Sequence, residues 1–142
     1  MKINAISLME AYLIETVRAS GVTNEELVES VSKKNVASWN KQHPNFDFQT
    51  LIDLHEKDNH AFHSIIHDGY QVKFITINGL RNLLKLKFDI TEEMYELTEQ
   101  GIAKLIAGED TLSGIKQMLS PNWKVQEKEL DGKYEISITL NK

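Results

Sequence analysis

The segment WKVQEKELDGKYEISITL, residues 123–140, decides the fold class. Asp131-Gly132 at its centre is the dipeptide that a two-residue type I′ turn favours, because both central positions need positive φ. Closing the chain there sets Glu129 opposite Tyr134, Glu127 opposite Ile136, Val125 opposite Ile138 and Trp123 opposite Leu140. Trp123, Val125, Ile136, Ile138 and Leu140 then share one face. Lys124, Gln126, Lys128, Glu135, Ser137 and Thr139 share the other, with Lys128 opposite Glu135. Such a split predicts a hairpin with one face on a core and the other in water. A lone hairpin is marginally stable, so it needs helices beneath it and a further strand beside it. The alternation of Tyr70, Val72 and Phe74 with Gln71 and Lys73 nominates Tyr70–Ile75 as that strand.

Upstream, helical spacing dominates. A first helix is expected from about Ile3 to Ala19, stopped at Gly21. Its apolar residues cover most of its circumference, more than a surface helix needs, so it is either a well-covered central helix or one that also meets a second copy in a homodimer. Thr23 and Glu26 have capping-box spacing and begin a second helix, and Val36, Ala37 and Trp39 make a short third turn. Asp47 caps a long helix from Phe48 to about His67. Thr76 caps the next, with Leu80, Leu83, Leu84 and Phe88. Thr91, followed by Glu92 and Glu93 where a helix dipole favours acids, begins another that Gly108 ends. Thr111 to Leu119 is the last, stopped at Ser120-Pro121. The expected fold is therefore α+β and mostly helical, with about six or seven short helices and an antiparallel sheet of about three strands. We read a single domain over residues 1–142, with a helical part at 1–68 and a part at 69–142 that holds the strand, further helices and the hairpin.

Composition narrows the function classes. The chain has 142 residues, 41% apolar and 26% charged, ordinary for a globular protein and long enough to bury roughly two-thirds of its unfolded surface. It has no cysteine, which removes disulfides, thiolate metal sites and cysteine nucleophiles, and fits a cytoplasmic protein. No apolar run reaches the length of a membrane span, and the N-terminus has no signal-peptide pattern. Net charge is −5. The bases concentrate in one place: residues 70–90 hold Lys73, Arg81, Lys85 and Lys87 against Asp89 alone, between two acidic flanks.

Four of the five histidines, His55, His60, His63 and His67, fall on the long helix expected at 48–67. On a continuous helix His60, His63 and His67 form one stripe with Glu56, and His63 and His67 at i, i+4 can both reach a divalent ion. The stripe equally suits a solvated polar face or a pH-responsive one. His55 falls on the apolar side and reads as a core histidine. Serines lie in caps and turns, no phosphate-binding glycine loop is present, and the acid pairs Glu25-Glu26 and Glu92-Glu93 suit helix starts. The expectation is a non-catalytic protein without a cofactor.

Gly21-Val22-Thr23-Asn24-Glu25-Glu26-Leu27-Val28-Glu29 resembles the opening of a bacterial helix-turn-helix, in which a Thr-x-Glu-Glu-Leu helix precedes a turn and a recognition helix. The resemblance covers about residues 10–42 and assigns recognition to Val36–Lys41. It implies a DNA-binding regulator, with Ser38, Asn40, Lys41 and Gln42 at bases or phosphates; the central basic segment, with Lys73, Arg81 and Lys85, is then expected on the phosphate backbone. The order of strand, helices and hairpin in the second half is somewhat like a winged helix. There the helix before the wing carries Lys116 beside Glu109 and Asp110, a charge balance that suits protein better than DNA. The usage of Lys, Ile, Asn and Glu resembles that of low-GC bacteria and their phages. The principal expectation is a small intracellular regulator, inhibitor or adaptor that binds another protein, related to phages or mobile elements. DNA binding is the alternative.

Overall fold

Ser7 sets the first boundary. In the computed structural model, which describes residues 3–141, strand β1 (Asn4–Ile6) gives way at Ser7 to helix α1 (Leu8–Ala19). The Ser7 hydroxyl accepts from the Glu10 N–H at 3.1 Å, and the Glu10 carboxylate accepts from the Ser7 N–H at 2.8 Å. This reciprocal box satisfies two donors at the helix start and fixes it there. The helix expected from Ile3 therefore begins five residues later.

The chain packs as two compact units, Met1–Tyr70 and Gln71–Lys142. In the first, α1 is followed by α2 (Asn24–Ser32), α3 (Ala37–Gln42), α4 (Gln49–Lys57) and α5 (Asn59–Asp68). The Thr23–Glu26 capping box that starts α2 is formed. The long helix expected over 48–67 is instead two. Asp58 leaves helical geometry at φ −163°, ψ 96°, and its carboxylate accepts from the Ala61 N–H at 3.0 Å, so it ends α4 and caps α5. An aspartate that can cap a new helix competes with continuing the old one. Leu13, Ile14 and Val17 of α1, Leu27 and Val31 of α2, and Phe62, Ile65 and Ile66 of α5 are buried in this unit's core. Among the large apolar side chains of α1, Leu13, Ile14 and Val17 are buried, Leu8 and Tyr12 are half-buried and Met9 is exposed.

One charged network runs through this core. Glu15 is 2% exposed. It accepts from the Tyr70 hydroxyl at 2.5 Å and from Arg18 Nη1 at 3.0 Å. Arg18 spends its remaining donors on Asn24 Oδ1 at 3.1 Å and the Ile66 carbonyl at 2.5 Å. One guanidinium thus ties α1 to the start of α2 and to the end of α5.

In the second unit α6 (Ile77–Phe88) is capped by Thr76, whose hydroxyl accepts from the Gly79 N–H. The segment from Thr91 to Gly108 is not the helix its acidic start suggests. It forms a short 3-10 turn (Glu92–Met94), then strands β3 (Glu96–Thr98) and β4 (Gly101–Ala107). The reason lies in a bulge. Ile102 pairs with Ile138 and Leu105 with Ile136, so Ala103 and Lys104 together oppose Ser137, with Lys104 at φ +59°. Two inward residues of a strand thereby stand three apart in sequence, which is helical spacing.

Helix α7 (Glu109–Met118) leads to the hairpin of β5 (Trp123–Leu130) and β6 (Lys133–Leu140), joined through Asp131 and Gly132, both at positive φ. The hairpin register is the one the Asp-Gly turn demands. Its third partner differs from expectation. The antiparallel sheet runs β3-β4-β6-β5, so β4 lies beside the hairpin, whereas β2 (Tyr70–Val72) pairs with β1 in a separate two-stranded sheet. Leu83 and Leu84 of α6, Ile102 and Leu105 of β4, Ile115 and Met118 of α7, and Ile136 and Ile138 of β6 are fully buried. The class is α+β, with seven α-helices among the described residues, and among them no helix is long and apolar enough to cross a membrane.

Two predictions follow from these contacts. Tyr70→Phe removes a donor from a buried carboxylate and should cost about 1–3 kcal/mol in urea unfolding. Burial and the neighbouring Glu15 hold the Tyr70 phenol well above its ordinary value of 10.0. Its stabilising share is therefore complete below pH 10 and lost as pH rises beyond it, because the unfolded chain releases that proton first. Tyr70→Phe should abolish that alkaline slope. Separately, Gly101 sits at φ +147°, where an added Cβ would run into the Ile138 carbonyl and the Trp123 ring. Gly101→Ala should lower stability by about 2–4 kcal/mol, and a thermal melt unchanged from wild type would refute this close approach.

Candidate functional site

The helix-turn-helix-like segment folds as two helices. Leu27, Val28 and Val31 anchor α2, and Trp39 of α3 is buried edge-on to Phe48, ring centroids 5.8 Å apart. In the intervening turn Lys34 adopts φ +59°, the conformation a glycine supplies without strain. Ser38 and Lys41 are exposed on α3. Asn40 is engaged internally, its Oδ1 accepting from the Phe48 N–H at 3.0 Å and so holding the loop that leads to α4. Lys73, Arg81 and Lys85 belong to the second unit. The residues of the DNA reading thus come from two separate units.

The break at Asp58 rearranges the histidines. Folding α4 back on α5 brings His55 of one helix beside His63 of the other, with ring centroids 6.3 Å apart, and His67 stands 6.3 Å beyond His63. The row of rings is His55, His63 and His67. His60 is exposed and lines an open concavity with His63, His67, Asp58 and Asp68. His55 is half-buried and edge-on to Phe62 at 5.4 Å, as befits its place on the apolar side. Among the described residues, no three histidine, aspartate or glutamate side chains are grouped to hold a metal ion.

The central bases have local partners. Arg81 donates from Nη2 to Glu92 at 2.9 Å and from Nε to the Tyr95 hydroxyl at 3.3 Å. Lys85 and Lys73 are exposed. Asn78, Arg81, Asn82 and Lys85 line one side of a polar cleft of about 580 Å³, and the turn from Thr91 to Tyr95 forms the other.

A different feature escaped sequence reading. Phe74 is 60% exposed, Leu97 51% and Leu140 40%, and all three line one apolar groove of about 370 Å³ with Ile77, Gly101 and Trp123. They come from the loop after β2, from β3 and from the end of β6. One side of the groove is held by hydrogen bonds. The Ile75 carbonyl accepts from Trp123 Nε1 at 2.8 Å and Asn122 Nδ2 at 3.0 Å, and its N–H donates to the Ser120 hydroxyl at 3.1 Å. With both backbone groups of Ile75 satisfied by the 120–123 turn, Phe74 is held out beside the groove. Glu99 stands exposed at the rim and has no ion-pair partner among the described residues. The sequence pattern places Phe74 on a strand, Leu97 in a helix and Leu140 on the inner face of the hairpin, so none of the three is marked in advance as part of one exposed surface.

The chain matches no protein-family model, no curated protein and no solved structure.

The histidine geometry yields a direct expectation. His63 and His67 alone leave half a tetrahedral zinc shell to water. Zinc added near neutral pH should give no stoichiometric complex by calorimetry. A one-to-one complex that His63→Ala removes would show that a further ligand is recruited.

Proposed function

We propose that this chain is a non-catalytic regulator, inhibitor or adaptor that works in the cytoplasm by binding another protein through the apolar groove of its second unit. The observation that carries this reading is the convergence of Phe74, Leu97 and Leu140, three large exposed apolar side chains from three chain segments, on one concavity. Scattered exposed apolar residues need no explanation; a cluster around a concavity marks a contact surface. The unpaired Glu99 at its rim and the net charge of −5 select a partner that presents an apolar anchor flanked by a cation. A phage or mobile-element origin is compatible with such a role and rests on composition alone.

DNA binding is the second reading. It is favoured by Ser38, Lys41 and Gln42, which stand exposed along α3 after a properly capped α2.

A tagged pull-down from the native host, with and without nuclease, separates the two. The wild-type chain should capture one stoichiometric protein that survives nuclease, and Phe74→Asp with Leu97→Asp should lose it. Loss of such anchors costs about 2 kcal/mol or more each in binding, whereas exposed substitutions change stability by about 0.5 kcal/mol or less. Equal capture by the variant would refute the groove, and partners lost on nuclease treatment would favour α3.

A further inference from the structure

We propose that the cleft between α6 and the Thr91–Tyr95 turn binds a small phosphate monoester, a ligand role distinct from the apolar groove. Asn78, Arg81, Asn82 and Lys85 are spaced at i, i+3, i+4 and i+7, so one helical face presents them along a single wall. The bases that crowd residues 70–90 of an otherwise acidic chain contribute two of them to this cleft. The concavity, about 580 Å³, lies within the range of small-molecule sites.

The donors are arranged for one doubly charged group. Arg81 is oriented by Tyr95, which takes its Nε–H at 3.3 Å. Lys85 is exposed and pairs with no acid among the described residues. The Asn78 amide and the Thr91 and Tyr95 hydroxyls line the same space. A phosphate monoester, with a charge of about −1.5 to −2 and three acceptor oxygens, matches one guanidinium and one ammonium and still has an oxygen for a neutral donor. The Glu92 carboxylate occupies Arg81 Nη2 at 2.9 Å and is itself 74% exposed. An exposed pair of this kind is weakly held, so the ligand displaces Glu92 from Arg81. Glu92 and Glu93 on the facing wall limit the cleft to one anionic group, because a polyanion would set further phosphates against them.

Glycerol 3-phosphate titrated into the isotope-labelled full chain, at constant ionic strength, tests the assignment by amide shifts. Saturable shifts are expected around Arg81, Lys85 and Tyr95, with matched chloride producing none. Lys85→Ala, a surface change remote from the core, should weaken binding about tenfold. Arg81→Lys keeps the charge but loses the fork and should also weaken it. Glu92→Gln should tighten it by freeing Arg81. Shifts that fail to saturate, that chloride reproduces, or that Lys85→Ala leaves unchanged would overturn the proposal. So would a short DNA duplex that binds the same residues more tightly than the monoester.

Discussion

A buried carboxylate needs partners, and most of the first unit's geometry can be traced to those of Glu15. An ionised group out of water costs several kcal/mol unless hydrogen bonds and an opposite charge replace its hydration. Glu15 receives both, from Tyr70 and Arg18. The constraint then spreads. Arg18 can serve Glu15 from one nitrogen only if its others are also satisfied, and they are met by Asn24 and the Ile66 carbonyl. The start of α2, the last turn of α5 and the first residue of β2 are all specified by one acid that cannot be left bare. Apolar packing supplies the bulk of the stability, and the network adds a directional constraint that shape alone does not.

The second unit solves a related problem with backbone groups. Ile75 lies where β2 has ended and α6 has not begun, so neither ladder nor helix serves its N–H and C=O. Ser120, Asn122 and Trp123 do. Because these three residues sit immediately before and at the start of β5, the same contacts that satisfy Ile75 bring Trp123 to the apolar groove and leave Phe74 exposed along its wall. This side of the groove is thus a by-product of satisfying buried polar atoms.

How far the sequence disclosed this depends on how local each determinant is. The hairpin was legible to the residue because Asp131-Gly132 sets its register without outside help. The Thr23 and Thr76 caps were legible for the same reason. Ser7 and Asp58 are equally local, yet each lay inside an apolar pattern that reads as continuous helix, and the pattern masked the cap. The bulge at Ala103 and Lys104 imitated helical periodicity outright, which hid both β4 and the true neighbour of the hairpin. The candidate sites suffered most. His55 joined the histidine row in place of His60 only because Asp58 breaks the helix, and the groove is assembled from three segments far apart in the chain. Periodicity reports which residues face inward within an element; it carries nothing about residues stranded where elements stop.

The strand β5 ends the four-stranded sheet, and its far edge has no strand beside it in that sheet. An eight-residue open edge is the template on which copies of a protein stack into fibrils. Here the charges forbid it. If two β5 edges met antiparallel about Gln126, Lys124 of each would face Lys128 of the other; about Glu127, the two Glu127 side chains would face each other; about Lys128, the two lysines would do so and Glu127 would face Glu129. Each central register of self-pairing thus brings like charges together, while the pairing with β6 sets Lys128 against Glu135. The mixture of lysine and glutamate along one strand thus favours its own hairpin partner over its twin, a sequence-level guard on an edge that no strand of the sheet covers.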